Sequence, residues 1–185
     1  MSNSSKKYII LFLLSLPFIV SAQIYIGQKC SISFFSKTPM EDIDAINTNS
    51  KPVFNSKNGM FVIKAAQKDF NFKSGLMQTH YNENYVESEK YPSVTFSGKL
   101  NEVLDYTKNG KYNVTLSGNL DLHGVSLFRT ISGKIEVRDE KIIMESKFDI
   151  KVEDHKILIP KLLFQKIAEI IHVSFSAELV LKKIN

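Results

Sequence analysis

The sequence has little of what cross-links a protein or cages a metal ion. Its 185 residues contain one cysteine, Cys30, and no tryptophan. A single cysteine forms no internal disulfide and cannot supply the thiolates of a structural zinc site, so stability must come from packing. With 43% hydrophobic and 23% charged residues, the chain is neither collagen-like nor disordered. Its length fits one domain, since single domains commonly span roughly 100 to 200 residues.

Long apolar runs are also scarce. Two lysines precede the longest run, Tyr8 to Val20, which leads into a small-residue pattern suited to cleavage between Ala22 and Gln23. The run is about 13 residues long, short of the roughly 20 that a helix needs to cross a bilayer. We predict that residues 1–22 are a secretory signal peptide and that residues 23–185 are the mature domain, which is periplasmic or secreted.

Sequence motifs for catalysis are missing. There is no nucleophile elbow, no phosphate-binding glycine loop and no HExxH zinc motif. The four histidines, His80, His123, His155 and His172, show no metal-binding spacing. We therefore expect a non-enzymatic protein with no metal and no cofactor. The alternative is a metal-dependent enzyme or hydrolase whose site brings His80 and His123 together in space.

Basic residues do not cluster as they do on a nucleic-acid interface. The 24 Lys and Arg residues are scattered among 19 Asp and Glu residues, and two of the lysines lie in the proposed signal peptide. We expect no nucleic-acid partner.

Alternation of apolar and polar residues dominates the middle of the chain. From Lys111 to Leu122 every even position is apolar or glycine and every odd position is polar or charged, and Ser93 to Leu100 behaves alike. This pattern is typical of antiparallel strands with one face in water. Further strands are predicted at Cys30 to Phe35, Met60 to Gln67, Leu127 to Val137, Ile142 to Glu153 and His172 to Leu181, with a weaker one near Val53.

About eight such strands can close into an up-and-down barrel, which leaves no exposed sheet edge. A β-sandwich is the alternative on this pattern alone. Two segments are predicted to be short helices: Gly75 to about Tyr85, capped by Ser74, and a second helix that starts at Pro160. They would act either as lids or as plugs at a barrel end.

A small residue recurs between large ones on five apolar faces. If these residues align around the barrel, they widen the interior into a cavity for an apolar guest. The alternative is that glycine relieves strand bending, or that an aromatic side chain packs into the gap. The five series are Phe96-Gly98-Leu100, Leu116-Gly118-Leu120, Ile131-Gly133-Ile135, Met144-Ser146-Phe148 and Phe175-Ala177-Leu179.

Two segments resemble signatures of the YceI-like family. The first runs from Leu76 to Tyr85 (LMQTHYNENY) and is followed by Glu89 to Phe96 (EKYPSVTF); the second is Gly118 to Val125 (GNLDLHGV). In that family a helix leads into a Lys-Tyr-Pro-x-x-x-Phe strand, and a strand ends in a Leu-x-x-His-Gly-Val turn. The resemblance covers essentially the whole mature chain, and the Ser-Ala-Gln junction and the Ile-Pro-Lys-Leu segment are similar to its Bacteroidetes branch.

The resemblance implies a mainly β fold: a single eight-stranded antiparallel, lipocalin-like barrel with an apolar interior. It implies that the interior binds a long-chain isoprenoid or similar amphiphile as ligand and partner. For a protein that carries such a ligand we also expect transient membrane contact. The run Ser126 to Arg129 departs from the family pattern, as does the helix from Pro160, and both leave ligand identity open. A solid-core envelope interaction or stress-response barrel without ligand is the alternative.

From the inward series, the two predicted helices and neighbouring aromatic residues we expect a set of cavity-lining, ligand-binding side chains. They are Phe72, Leu76, Met77, Tyr85, Phe96, Gly98, Leu116, Gly118, Leu120, Phe128, Ile131, Gly133, Met144, Ser146, Phe148, Phe164, Phe175 and Ala177.

Overall fold

The computed structural model describes residues 23–37, 42–158 and 169–182. Within them it has ten strands and one α-helix, α1 (Gly75–His80), which continues as a wider π-helical turn over Tyr81–Tyr85. Ser74 caps this helix, since its Oγ accepts a hydrogen bond from the Met77 backbone N–H at 3.4 Å. The strands are β1 (Ile24–Ser36), β2 (Ile43–Asn47), β3 (Val53–Asn55), β4 (Met60–Ala66), β5 (Asn71–Phe72), β6 (Ser93–Leu100), β7 (Gly110–Leu122), β8 (Val125–Arg138), β9 (Lys141–Lys151) and β10 (Ile170–Leu181).

Backbone pairing closes the sheet on itself. β2 and β3 both pair with β1, at opposite ends of that strand, so they share one position in the sheet. β4 and β5 share the next position, because β4 pairs with β3 and β5 with β2. The remaining strands follow in chain order, and β10 returns to pair with β1. The ten strands therefore fill eight positions of a closed antiparallel barrel, as predicted, and the sandwich alternative is wrong.

The predicted elements match the observed ones in place, with differences at their ends. β6 has the predicted limits, and the helix from Gly75 to Tyr85 is confirmed. β9 ends at Lys151, because Val152–His155 turn into a 3-10 helix. The short strands β2 and β5 were not predicted. The proposed signal peptide and the helix from Pro160 lie outside the described residues, and no described helix is long and apolar enough to span a membrane.

One end of the barrel is filled with side chains. At the end of the barrel where β7 begins, the inward side chains of Phe54, Ile142 and Leu179 from three other strands are completely buried. Tyr106, from the β6–β7 loop, packs its ring edge-on to Phe54 at 5.5 Å. We call this region, which also holds Tyr25, Cys30, Leu100, Val137 and Ala177, the packed end. Towards the other end, which we call the hollow end, inward side chains such as Ile131 are only partly buried.

Candidate functional site

Partial burial at the hollow end reflects an internal cavity of about 400 Å³. Its wall consists almost entirely of inward apolar side chains from the strands, together with residues of α1 and the turn after it. Ligand pockets for small molecules commonly span roughly 300 to 1,000 Å³. The cavity is therefore large enough for an apolar ligand. A barrel with a solid core would have no room for one.

Three phenylalanines separate the cavity from the packed end. The ring of Phe61 lies 6.4 Å from that of Phe96 and 5.9 Å from that of Phe175, with the latter pair edge-on. All three side chains also border the cavity. They form its floor.

The opposite end of the cavity is an aromatic cluster under α1. The ring of Tyr81 lies 4.9 Å from Phe72, 5.6 Å from Phe34 and 6.0 Å from Phe70, measured between centroids. We call these four residues the aromatic end. Leu76 belongs to the same helix and borders the cavity, although two thirds of its side chain is exposed.

Tyr81 is anchored by a residue that the sequence analysis did not single out. Its hydroxyl donates a hydrogen bond to Oε1 of Gln67 at 2.6 Å. Burial raises the pKa of Tyr81, so the hydroxyl stays protonated. Gln67 is completely buried and borders the cavity. The alternation of Phe61, Ile63 and Ala65 extends to position 67, and that parity is the signal that could have identified it.

Most of the predicted cavity residues border the cavity. Their role as ligand contacts stays a prediction. They are Phe72, Leu76, Met77, Tyr85, Phe96, Leu116, Leu120, Ile131, Gly133, Met144, Ser146, Phe148 and Phe175. Phe164 lies outside the described residues.

Gly98 and Gly118 are not part of this wall. They face each other across the β6–β7 ladder, and a Cβ atom on Gly118 would lie 2.3 Å from the Cα of Gly98. A Cβ atom on Gly98 would lie 2.9 Å from the ring of Phe96. The two glycines therefore allow close approach of two strands and the packing of a ring, instead of widening the interior.

Two further predicted residues lie elsewhere. Ala177 is buried in the packed end, below the floor. Phe128 is 72% exposed, because on β8 the odd-numbered residues face inward and Phe128 is even-numbered. Neither residue borders the cavity.

The wall has a seam between β8 and β9. Their backbone pairing runs from Arg138 only as far as Gly133, opposite Ser146. Beyond that pair, β8 continues along β7 and β9 along β10, without a shared ladder between them. Side chains bridge part of the gap: Ser146 donates to the Ser132 carbonyl at 2.9 Å, and Arg129 donates to the Asp149 carbonyl at 3.0 Å. The cavity reaches the strand edges at this seam.

A histidine ties the rim of the hollow end together. His123 Nε2 lies 2.8 Å from Glu87 Oε2, and its Nδ1 lies 3.0 Å from the carbonyl oxygen of His155. Tyr91 packs edge-on to the imidazole at 4.5 Å. We call these four residues the clasp. A carbonyl and a carboxylate both accept hydrogen bonds, so a ring nitrogen of His123 that carries a proton donates to one of them.

The clasp explains the two sequence signatures. His123 and Gly124 turn the chain from β7 to β8 with positive φ angles of 52° and 73°. A Cβ atom at position 124 would lie 2.6 Å from the ring of Tyr91, so glycine is required there both for conformation and for space. The His-Gly turn and the Lys-Tyr-Pro segment are thus two sides of one contact.

The histidines do not converge on a metal site. Both ring nitrogens of His123 are engaged in the clasp, whereas His80 lies on α1 and borders the cavity. In the described parts of the chain, no group of three or more His, Cys, Asp or Glu residues is placed to hold a metal ion. The structure gives no support to the proposed site at His80 and His123.

Comparisons with known proteins agree with this architecture. The solved structure of a polyisoprenoid-binding domain from Saccharophagus degradans, implicated in plant cell wall breakdown, is 13% identical with a TM-score of 0.74, and the match covers 88% of this chain and 100% of that chain. BcnA from Burkholderia cenocepacia is 15% identical with a TM-score of 0.66, over 80% of this chain and 95% of that chain. A YceI protein from Campylobacter jejuni is 15% identical with a TM-score of 0.55, over 100% of both chains.

At these identities the solved structures show a shared fold alone. No curated protein matches the chain. The model of the YceI-like domain, however, matches residues 31–179, which is most of the sequence and includes both signatures of the clasp. The chain belongs to the YceI-like domain family.

Proposed function

We propose that this protein is exported and binds a long-chain isoprenoid or similar amphiphile in its cavity, either to sequester it or to carry it. The observation that carries the proposal is the apolar cavity of about 400 Å³ between the phenylalanine floor and the aromatic end. The name of the Saccharophagus degradans domain, which has the same fold, supports this ligand class. The run from Tyr8 to Val20 supports export.

Energetics favour exchange with a membrane over extreme affinity. Burial of each methylene contributes about 0.8 kcal/mol relative to water. A bilayer already keeps the chain dry, however, and ordering the chain inside the cavity costs free energy. Transfer between bilayer and barrel is then close to neutral, so access to the cavity governs exchange. The seam is a described part of the wall where a chain can reach the interior without breaking a backbone ladder.

The test is organic extraction of the purified protein followed by mass spectrometry. We expect a long-chain amphiphile in the extract of the wild-type protein. Ser146→Phe places a ring in the cavity wall and should lower the lipid recovered per protein several-fold. Ser176→Phe is the matched control, since Ser176 is an exposed residue on the outer face of β10.

Far-UV circular dichroism should confirm that both variants are folded. Two results would count against lipid binding in the cavity: a wild-type protein that carries no amphiphile and takes none up from vesicles, or equal occupancy in the two serine variants.

A further inference from the structure

Gln67 occupies an unusual place for a polar side chain. It follows β4 at the start of the 3-10 turn Gln67–Asp69, and its backbone N–H donates to the Pro92 carbonyl at 2.9 Å. Its side chain is completely buried in the cavity wall, next to the aromatic end. The amide nitrogen Nε2 is buried and has no hydrogen-bond partner. Nearly all buried polar atoms in folded proteins are partnered, so this donor calls for an explanation.

The Gln67–Tyr81 pair has a surplus donor in either amide orientation. The phenol and the amide together hold three polar hydrogens, and the bond between them uses one. With the amide placed as described, both Nε2 hydrogens are left over. With the amide rotated by half a turn, Nε2 donates one hydrogen to the Tyr81 oxygen. The Tyr81 hydroxyl hydrogen and the second Nε2 hydrogen then have no acceptor. In both cases the pair offers a donor and needs an acceptor.

The surroundings of this donor favour an uncharged acceptor. Tyr81 packs against Phe34, Phe70 and Phe72, which supply no cation. Three residues that can be charged near neutral pH border the described wall, and all three are exposed to solvent: His80 on α1, and Lys134 and Glu145, which face each other across the β8–β9 ladder. Among the described residues, a phosphate or carboxylate at Gln67 would meet no buried counter-ion, and burying an unpaired charge is strongly unfavourable.

We infer that the ligand is an uncharged lipid with an oxygen acceptor, a ketone, ester, ether or alcohol oxygen, which binds the Gln67–Tyr81 donor while its hydrocarbon part fills the cavity. This inference rests on the proposed function and specifies its ligand class. It assigns the Gln67–Tyr81 pair as the group that distinguishes an oxygen-bearing lipid from a plain hydrocarbon.

The test is competitive loading from phosphatidylcholine vesicles that contain equal amounts of 2-heptadecanone, heptadecane and hexadecyl phosphate. After separation from the vesicles, the protein-bound lipids are extracted and measured by mass spectrometry. We expect the wild-type protein to enrich the ketone over the alkane about fivefold, the effect of one buried hydrogen bond. Hexadecyl phosphate should load least.

The double variant Gln67→Leu/Tyr81→Phe should reduce the ratio of ketone to alkane to about one, while alkane loading persists, because it lacks both donors; Gln67→Leu alone would leave the Tyr81 hydroxyl free to donate to the ketone. Gln78→Leu is the matched control and should keep the wild-type ratio, because Gln78 lies on α1 outside the cavity wall. If the double variant fails to fold, infrared spectroscopy of 2-heptadecanone bound to the wild-type protein replaces it. The carbonyl stretch should lie below its frequency in hexadecane.

The outcomes separate this inference from the proposed function. Binding of ketone and alkane without preference, a preference for hexadecyl phosphate, an unshifted carbonyl band, or a ketone preference that survives Gln67→Leu/Tyr81→Phe would each overturn the inference and leave lipid binding intact. Failure of all three lipids to load would overturn both.

Discussion

The two ends of the barrel have the same alternation of inward and outward side chains, but one end is packed and the other is hollow. At the packed end, the inward side chains Phe54, Ile142 and Leu179 meet each other and are completely buried. At the hollow end, residues such as Leu116 and Ile131 also point inward by the same alternation, but they border the cavity. Alternation tells which side of a strand faces inward; it does not tell whether the interior is full.

What fills the packed end is a loop as much as the strands. Leu104 and Tyr106, between β6 and β7, pack on the buried core there. Cys30 lies in the same region, and burial raises the pKa of its thiol to about 11, so it stays protonated and unreactive at neutral pH. The hollow end is covered by α1 and by the aromatic end, which leave the cavity beneath them. The packed end therefore holds completely buried core side chains, whereas the hollow end holds the cavity in which we propose that a ligand binds.

The largest expected effect compares the same truncation at both ends. Leu179→Ala should lower the free energy of unfolding by about 2 to 5 kcal/mol, because Leu179 is completely buried and the site cannot fully collapse. Leu116→Ala should cost less than half as much, since this side chain borders a cavity and has fewer neighbours to lose. Urea denaturation measures both values. Equal losses would mean that the hollow end is packed in solution.

The second prediction tests the clasp at the rim of the hollow end. His123→Asn keeps a residue that tolerates positive φ but removes the bond to Glu87, and we expect a loss of about 1 to 2 kcal/mol in unfolding free energy. His172→Asn is the matched control, since the pair of His172 and Asp149 is mostly exposed and should contribute less than about 1 kcal/mol.

Urea denaturation of both histidine variants also checks the role of the clasp. A larger loss in His172→Asn than in His123→Asn would show that the clasp does not hold the rim together.

The third prediction concerns pH and the same rim. Burial lowers the pKa of His155 below its usual range near 6.5, against the opposing effect of the Leu122 and Val125 backbone. The unfolded chain therefore binds a proton that the folded chain does not, and stability falls as the pH drops below about 6.5, by at most about 1.4 kcal/mol per pH unit from this group. Above that pH this contribution is fully present.

Unfolding free energies of the wild-type protein and of His155→Gln between pH 5 and pH 7.5 check the prediction, since the variant should lose part of the slope. Identical slopes would show that His155 takes up its proton as readily in the folded state as in the unfolded one.

The barrel itself could be predicted because β6, β7 and β10 carry nearly unbroken period-2 patterns. The strands β2 and β5 could not be predicted, because five and two residues are too few to establish an alternation of apolar and polar side chains. The seam could not be predicted either, because alternation in β8 and β9 continues through Gly133 and Ser146 although their shared ladder stops there. Side-chain parity describes faces and carries no information on which strand edges are paired.

The roles of the glycines in the strands could be assigned only from the structure. The pair of Gly98 and Gly118 allows close strand approach at a place where the sequence suggested room for a ligand. Gly133, in an apolar series of the same kind, does border the cavity. Only the cross-strand register distinguishes these cases, since Gly118 faces Gly98 and Arg129, whereas Gly133 faces Val114 and Ser146.

The smallest expected effect tests a residue beside the seam. Phe128 lies on the outer face of β8 and is 72% exposed, so Phe128→Ser should change the free energy of unfolding by no more than about 0.5 kcal/mol and leave lipid loading from vesicles unchanged. Phe148→Ser is the matched change on the cavity side of β9 and should lower loading. If Phe128→Ser takes up lipid more slowly but reaches the same final occupancy, the lipid enters past the outer edge of the seam. A residue outside the cavity can change the rate of transfer without changing the bound state.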